Sequence, residues 1–171
     1  MQSTTRVLVI MRHSKAEPSG ASDHERVLTD RGTADADEAG AWLGRSGTTP
    51  DRALVSDAAR TRGTWEALAG GAGWSLAPDY DASLYAAGPE TALDLVRETD
   101  DSVGTLVVVG HNPTMAYVAQ MLDDGEGDAE AVAGMNEGFP TSAVAVFAVE
   151  GPWADLEMGG ARLTAFHVGR G

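Results

Sequence analysis

The chain has 171 residues, with 12 Lys+Arg against 26 Asp+Glu and a formal net charge of −14. That length suits a single domain, residues 1–171, able to bury about 70% of its unfolded-chain surface, and a hydrophobic content of 43% excludes wholesale disorder. With no cysteine there is no disulfide, thiolate metal site or thiol nucleophile, and the acidity argues against nucleic acid or anionic lipid as a partner.

In chain order, Arg6–Met11 is a continuous β-branched and apolar run, the pattern of a strand buried on both faces. Arg12 and His13 interrupt it before it could serve as the apolar core of a signal peptide, and no later run approaches the roughly 20 residues of a membrane span. A cytoplasmic protein is the expectation. Ala39, Trp42 and Leu43 share one helical face; Ala53–Val55 is a short strand; Trp65, Leu68 and Ala69 share the face of a second helix. Pro89 opens a further helix over Glu90–Glu98 with Leu93 and Val96 inward. Thr105–Val109 is a second buried strand, followed by a helix in which Met115, Val118, Ala119 and Leu122 have the full i, i+3, i+4, i+7 spacing. Asp123–Glu137, rich in Asp, Glu, Gly and Ala, reads as a solvated loop or a flap that could close over a site. Ser142–Val149 and Ala161–Val168 read as a strand pair at the sheet edge. Alternating strands and helices predict an α/β three-layer sandwich: a mostly parallel central sheet, helices on both faces, and an antiparallel C-terminal edge.

In such a sheet, ligands bind beyond the carboxyl ends of the strands. Arg12, His13 and Ser14 follow the first strand. Ser56 and Asp57 follow the next, with Arg60 and Arg62 on the opening turn of a helix. Gly110, His111, Asn112 and Pro113 follow Val109. Any one of these has a bland explanation: Arg60 and Arg62 can pair with Asp57 and Glu66, and Asn112-Pro113 can simply start a helix. Together, on one rim, they describe an oxyanion site. Arginine forks grip tetrahedral anions bidentately, helix N-termini add oriented N–H donors, and a neutral imidazole can attack phosphorus. Neighbouring guanidinium charge should lower that imidazole's pKa and keep its lone pair free. The result is covalent phosphoryl transfer without metal.

These residues resemble a known family. A strand ending in Arg12-His13, then Ser56-x-x-x-Arg60-x-x-x-Thr64, then Val109-Gly-His-Asn-Pro113 is similar to the histidine phosphatase (phosphoglycerate mutase-like) superfamily. Within it, the short length, the Arg26–Gly32 segment and Thr141-Ser142-Ala143 at the start of the late strand are most similar to SixA-type phosphohistidine phosphatases. The resemblance implies that His13 is the nucleophile, that Arg12 and Arg60 hold phosphoryl oxygens, and that His111 donates to a non-bridging oxygen. It places Arg26 at the pocket mouth. Ser14, Arg62 and Asn112 are assigned with Arg26 to substrate binding, Arg62 having no firm family counterpart. His24 and His167 match no motif and are expected to be structural or exposed. No cofactor and no metal are implied; the expected partner is a phosphorylated protein, such as a histidine-phosphotransfer domain, or a small phosphate ester.

Two departures bear on the substrate. Ser14 replaces the glycine of the common Arg-His-Gly. The segment Ala82–Gly88, where many members carry a glutamate acid, has no carboxylate. A general acid matters most for a poor alkoxide leaving group, whereas a phosphoramidate nitrogen protonates more easily. Phosphohistidine is therefore the favoured substrate, with Asp81 or Glu90 as alternative proton donors. Two other readings stay open: a small-molecule phosphomonoesterase of the same fold, and a non-catalytic module that binds phosphoprotein. A metallohydrolase lacks clustered ligands, and a serine hydrolase using Ser14 or Ser56 lacks a nucleophile-elbow sequence.

Overall fold

A computed structural model describes residues 4–171; residues 1–3, within the predicted domain span, lie outside the described residues. The first apolar run forms β1 (Thr5–Arg12), followed by α1 (Asp30–Arg45), β2 (Arg52–Ser56), α2 (Ala59–Ala72), β3 (Asp79–Asp81), α3 (Ala82–Tyr85), α4 (Pro89–Arg97) and β4 (Thr105–Gly110). The chain continues through α5 (Thr114–Leu122), α6 (Ala129–Glu137), β5 (Ala143–Glu150), a short 3₁₀ turn (Trp153–Asp155) and β6 (Ala161–Val168). The sheet order is β3-β2-β4-β1-β5-β6. The β1–β4, β2–β4 and β2–β3 pairings are parallel, while β1–β5 and β5–β6 are antiparallel. This is the expected mixed α/β sheet with an antiparallel C-terminal edge.

Strand alternation divides the core between the two faces. Val9 and Met11 of β1, Ala53 and Val55 of β2, and Val107 and Val109 of β4 pack with Ala39 and Leu43 of α1 and Trp65 and Leu68 of α2. The intervening Leu8, Ile10, Leu54, Leu106 and Val108 pack on the other face with Leu93, Val96, Met115, Val118 and Leu122. Residues buried on both sides explain why these strands read as unbroken apolar runs. The register sets Arg12 beside Gly110 and Val55 beside Val109, so the carboxyl ends of β1, β2 and β4 finish on one rim.

Asp123–Glu137 is irregular over its first six residues, as its composition implies, but Ala129–Glu137 forms a helix where a loop or flap was expected. Asp128 accepts a hydrogen bond from the Ala131 amide and caps α6, whose Ala131 and Met135 are buried in the core. The short polar strand β3 and the one-turn helix α3 carry no readable period, and no expectation covered them. α1 and α2 lie close because glycines meet backbone: a Cβ on Gly40 would come within 2.0 Å of the Leu68 carbonyl oxygen. Gly40→Ala should therefore force the helices apart. Overpacking of this kind costs about 1–3 kcal/mol, an expected drop of about 2–10 °C in Tm by calorimetry for a chain of this size.

Candidate active site

Both neighbours of β1's end anchor it. The His13 amide donates to the Gly110 carbonyl at 3.0 Å, and the Ser142 amide donates to the His13 carbonyl at 3.2 Å. The Ser14 amide donates to Thr64 Oγ1 (2.9 Å), which in turn donates to the Arg60 carbonyl (2.7 Å). Ser14 Oγ shares a 2.6 Å hydrogen bond with Ser142 Oγ. The spacing Arg60-x-x-x-Thr64 thus puts both residues on the face of α2 that meets the end of β1. Ser14 is buried and, unlike Ser142 (φ 66°), does not have positive φ, so the position makes no demand for glycine.

Four predicted residues converge on this rim. His13 is buried, and its Nδ1 lies 2.7 Å from the Ser14 carbonyl oxygen. A carbonyl can only accept, so Nδ1 carries the ring proton and Nε2 keeps its lone pair. The His111 ring lies 5.3 Å from the His13 ring, centroid to centroid, and its Nε2 shares a 2.7 Å hydrogen bond with Ser56 Oγ. Arg60, buried in the first turn of α2, and half-buried Arg12 complete the set. Three buried side-chain polar atoms among the described residues have no protein partner, and two of them are Arg12 Nε and His111 Nδ1. Burying polar groups in this way is costly, and two of them at one rim mark a place built for an acceptor-rich ligand.

The electrostatics match. Burial lowers the pKa of His13 to about 4, with Arg60, Arg12 and Arg26 adding to the effect and the Ser14 carbonyl opposing it. Burial, then His13 and Arg60, lowers His111 to about 3. Both imidazoles are neutral at pH 7 among cationic guanidiniums. No group of three or more His, Cys, Asp or Glu side chains with metal-binding placement occurs among the described residues.

The loop between β1 and α1 folds over the rim as an arm, pinned where the Glu17 amide meets the Val27 carbonyl and where the Ala59 amide, at the start of α2, meets the His24 carbonyl. Arg26 lies on this arm, donating to the Glu17 carbonyl (2.8 Å) and to Asp23 Oδ1 (2.8 Å). Three residues without a predicted site role stand beside it. Asp23 accepts from Arg60 Nη2 (3.1 Å) and from the Tyr85 hydroxyl, and its carbonyl accepts from Arg60 Nη1 (2.8 Å). Tyr85 approaches the His111 ring edge-on (5.5 Å), and His24 pairs with Asp57 (2.9 Å) while meeting Tyr85 edge-on (4.9 Å). Tyr85 falls within Ala82–Gly88, whose lack of a carboxylate is the one sequence signal near it; Asp23 and His24 sit in a polar turn with none.

Other predicted residues are engaged elsewhere. Asn112 donates to the Phe139 carbonyl (2.8 Å) and accepts from the Ala116 amide (3.2 Å), so both ends of its amide bind backbone. Arg62 donates to the Asp57 carbonyl, stacks 3.9 Å over the Tyr80 ring, and lines a groove with Val27 and Glu66. Asp81 caps α3 through the Ser83 amide, and Glu90 lies in the first turn of α4. His167 bonds Glu38 (2.6 Å) and stacks on Trp42, joining β6 to α1.

Comparisons with known proteins bear on this arrangement. No family model matches the chain. An uncharacterized protein of Mycobacterium tuberculosis is 42% identical over 162 residues, covering 94% of this chain and 100% of that protein, and one of Mycobacterium leprae is 35% identical over 165 residues. A structure assigned to the phosphohistidine phosphatase SixA of Nakamurella multipartitia is 33% identical, with a TM-score of 0.85 over 96% of each chain. One assigned to SixA of Agrobacterium tumefaciens is 29% identical, with a TM-score of 0.78 over 98% of this chain and 99% of that one. The protein histidine phosphatase SixA complexed with tungstate, 24% identical over 95% of this chain and 96% of that one (TM-score 0.72), shares the fold.

The two depressed histidines make stability depend on pH. Below 6.5 the unfolded chain protonates both rings, whereas the folded protein resists until about pH 4 at His13 and about pH 3 at His111. Each therefore contributes stability that is complete above pH 6.5 and is lost on acidification, with a slope of up to about 1.4 kcal/mol per pH unit. Urea titrations between pH 6.5 and 5, above the range where carboxylates titrate, should show this slope, and His111→Gln should reduce it by about half.

Proposed function

Because the chain belongs to the histidine phosphatase superfamily and is most similar there to SixA-type phosphohistidine phosphatases, we propose that it removes phosphoryl groups through a covalent intermediate on His13, without a metal ion, and that its favoured substrate is protein phosphohistidine. The observation that carries this reading is the state of His13: its Nδ1–H is committed to the Ser14 carbonyl, leaving Nε2 as a free nucleophile in a cationic, partly desolvated site. A module that only binds phosphoprotein has no use for such a group.

The lone pair on His13 Nε2 attacks phosphorus, forming a P–N bond as the bond to the leaving atom breaks. Arg12 and Arg60 hold the non-bridging oxygens and neutralise the dianion. In the tautomer whose Nε2 accepts from the Ser56 hydroxyl, the Nδ1–H of His111 hydrogen-bonds a phosphoryl oxygen as charge develops. Water then displaces the phosphoryl group from His13, releasing inorganic phosphate. The guanidinium groups supply the charge that a metal ion supplies in other phosphatases.

The similar Nakamurella and Agrobacterium structures support a phosphoramidate substrate, both being assigned to phosphohistidine phosphatases. The expected partner is a phosphorylated histidine-phosphotransfer domain rather than nucleic acid or membrane.

His13→Ala should lower turnover by more than about 10³-fold, the scale on which nucleophile deletions act, while a chelator leaves the wild-type rate unchanged. Acid-quenched protein analysed by mass spectrometry should carry one phosphoryl group on His13. Tungstate, the tetrahedral oxyanion held by the related SixA, should inhibit competitively. Unchanged activity in His13→Ala would overturn the mechanism, and a preference for sugar or nucleotide monophosphates over a phosphohistidine protein would overturn the substrate.

A further inference from the structure

The reaction needs a proton at the leaving atom, and neither Asp81 nor Glu90 is hydrogen-bonded to Arg12, His13, Arg60 or His111. Asp81 is spent on the cap of α3, and Glu90 lies in the first turn of α4. Asp23, on the arm between β1 and α1, is placed differently. Its Oδ2 accepts from Arg60 Nη2 (3.1 Å) and from the Tyr85 hydroxyl, and its Oδ1 accepts from Arg26 Nη1 (2.8 Å). The carboxylate therefore rests on the same guanidinium fork that faces the phosphoryl group in the proposed reaction. It is also more than half exposed, at 56%.

Tyr85 explains how the carboxylate is held there. It belongs to Ala82–Gly88, the segment without a carboxylate of its own, and its ring lies 5.5 Å from that of His111. The segment thus contributes a hydroxyl that grips an acid delivered from the opposite side of the rim. We propose that Asp23, positioned by Tyr85, is the proton donor to the leaving group, a role that rests on the covalent reading of His13.

The step balances. As Nε2 of His13 bonds to phosphorus and the bond to the leaving nitrogen or oxygen breaks, the leaving atom keeps the electron pair and takes the proton of the Asp23 carboxyl. In the second step the Asp23 carboxylate accepts a proton from the attacking water, and the pair of the P–N bond returns to His13. Asp23 is thereby reset.

The protonation state follows from the groups around it. Asp23 faces Arg26 on its own arm, Arg60 on α2 and Tyr85 on α3, and its charge acts on His111 at the end of β4. In the resting site the Tyr85 hydroxyl, then Arg26 and Arg60, hold its carboxyl well below the usual range, so it is ionised. A phosphoryl dianion that takes over Arg60 removes one of these partners and adds negative charge, and both changes raise the carboxyl's affinity for a proton. The substrate itself arms the acid.

Leaving-group dependence tests this. kcat/KM covers only the steps through departure of the leaving group, and it is to be measured with phenyl phosphate, whose phenolate needs a proton, and 2,4-dinitrophenyl phosphate, whose phenolate does not. General-acid deletions cost about 10²–10⁴-fold, so Asp23→Asn should lower kcat/KM on phenyl phosphate by about 10²-fold and at least ten times more than on the dinitrophenyl ester. Tyr85→Phe should shift the ratio in the same direction by a smaller factor, and it supplies a second reading where Asp23→Asn folds poorly. Equal losses on both esters would reduce Asp23 to a positioning residue for Arg60 and overturn the proposal. Gains on both would mark it as a mere occupant of the phosphate fork and overturn it equally. Failure to trap a phosphoryl group on His13 of the wild-type protein would overturn the covalent reading and this proposal with it, whereas trapping on His13 with an unchanged ratio overturns this proposal alone.

Discussion

A neutral imidazole buried beside guanidinium groups can serve as a nucleophile only if its one N–H has a partner and its other nitrogen has none. The Ser14 carbonyl, 2.7 Å from His13 Nδ1, meets that condition. The surroundings hold the carbonyl in place. Ser14's amide is tied to α2 through Thr64, and its hydroxyl is tied through Ser142 to the start of β5. The nucleophile's orientation thus depends on both neighbours of β1, one parallel through β4 and one antiparallel. This gives a physical reason for the order of motifs along the chain: residues 12–14, 56–64, 110–113 and 141–143 are distant in sequence, but each braces one side of the same imidazole.

The second constraint is charge. A chain with net charge −14 places Arg12, Arg26 and Arg60 at one rim, where two neutral histidines add no repulsion. Asp23 offsets part of this concentration by binding Arg26 and Arg60 together. A carboxylate in that position has two consequences of opposite sign. It stabilises the resting arrangement, and it must yield its hold on Arg60 when a dianion arrives. An exposed carboxylate suits this exchange better than a buried one, because water is available to both partners during it. The acidity of the remaining surface is then separable from the site: it bears on which macromolecules approach, while the arginines bear on which chemical group is held.

Some of this was legible in the sequence, for reasons that can be stated. β1, β2 and β4 are buried on both faces and therefore announce themselves as apolar runs, and the rule that ligands sit beyond parallel strand ends then points to Arg12, His13, Arg60 and His111. Asp23, His24 and Tyr85 were not legible as site residues, since an irregular arm and a four-residue helix have no period to read and their meeting is set by tertiary packing alone. Asp123–Glu137 misled for a related reason. Its composition is that of a solvated loop, but one side chain, Asp128, satisfies an amide at the helix start, and two small or flexible apolar residues, Ala131 and Met135, suffice to seat the turn on the core.

The predicted binding residues differ in the partners that they already hold. Asn112 holds the Phe139 carbonyl and the Ala116 amide, so backbone at both ends fixes the plane of its amide. Arg62 is likewise engaged by the Asp57 carbonyl and the Tyr80 ring. Arg12 and His111 instead retain buried nitrogens without protein partners, at a cost in stability that folding alone does not explain. Spare donor capacity held in place against that cost is what an anion site requires. Ser14 sits at the other extreme: every polar atom it owns is used, and its contribution to chemistry is the fixed direction of a neighbour's lone pair.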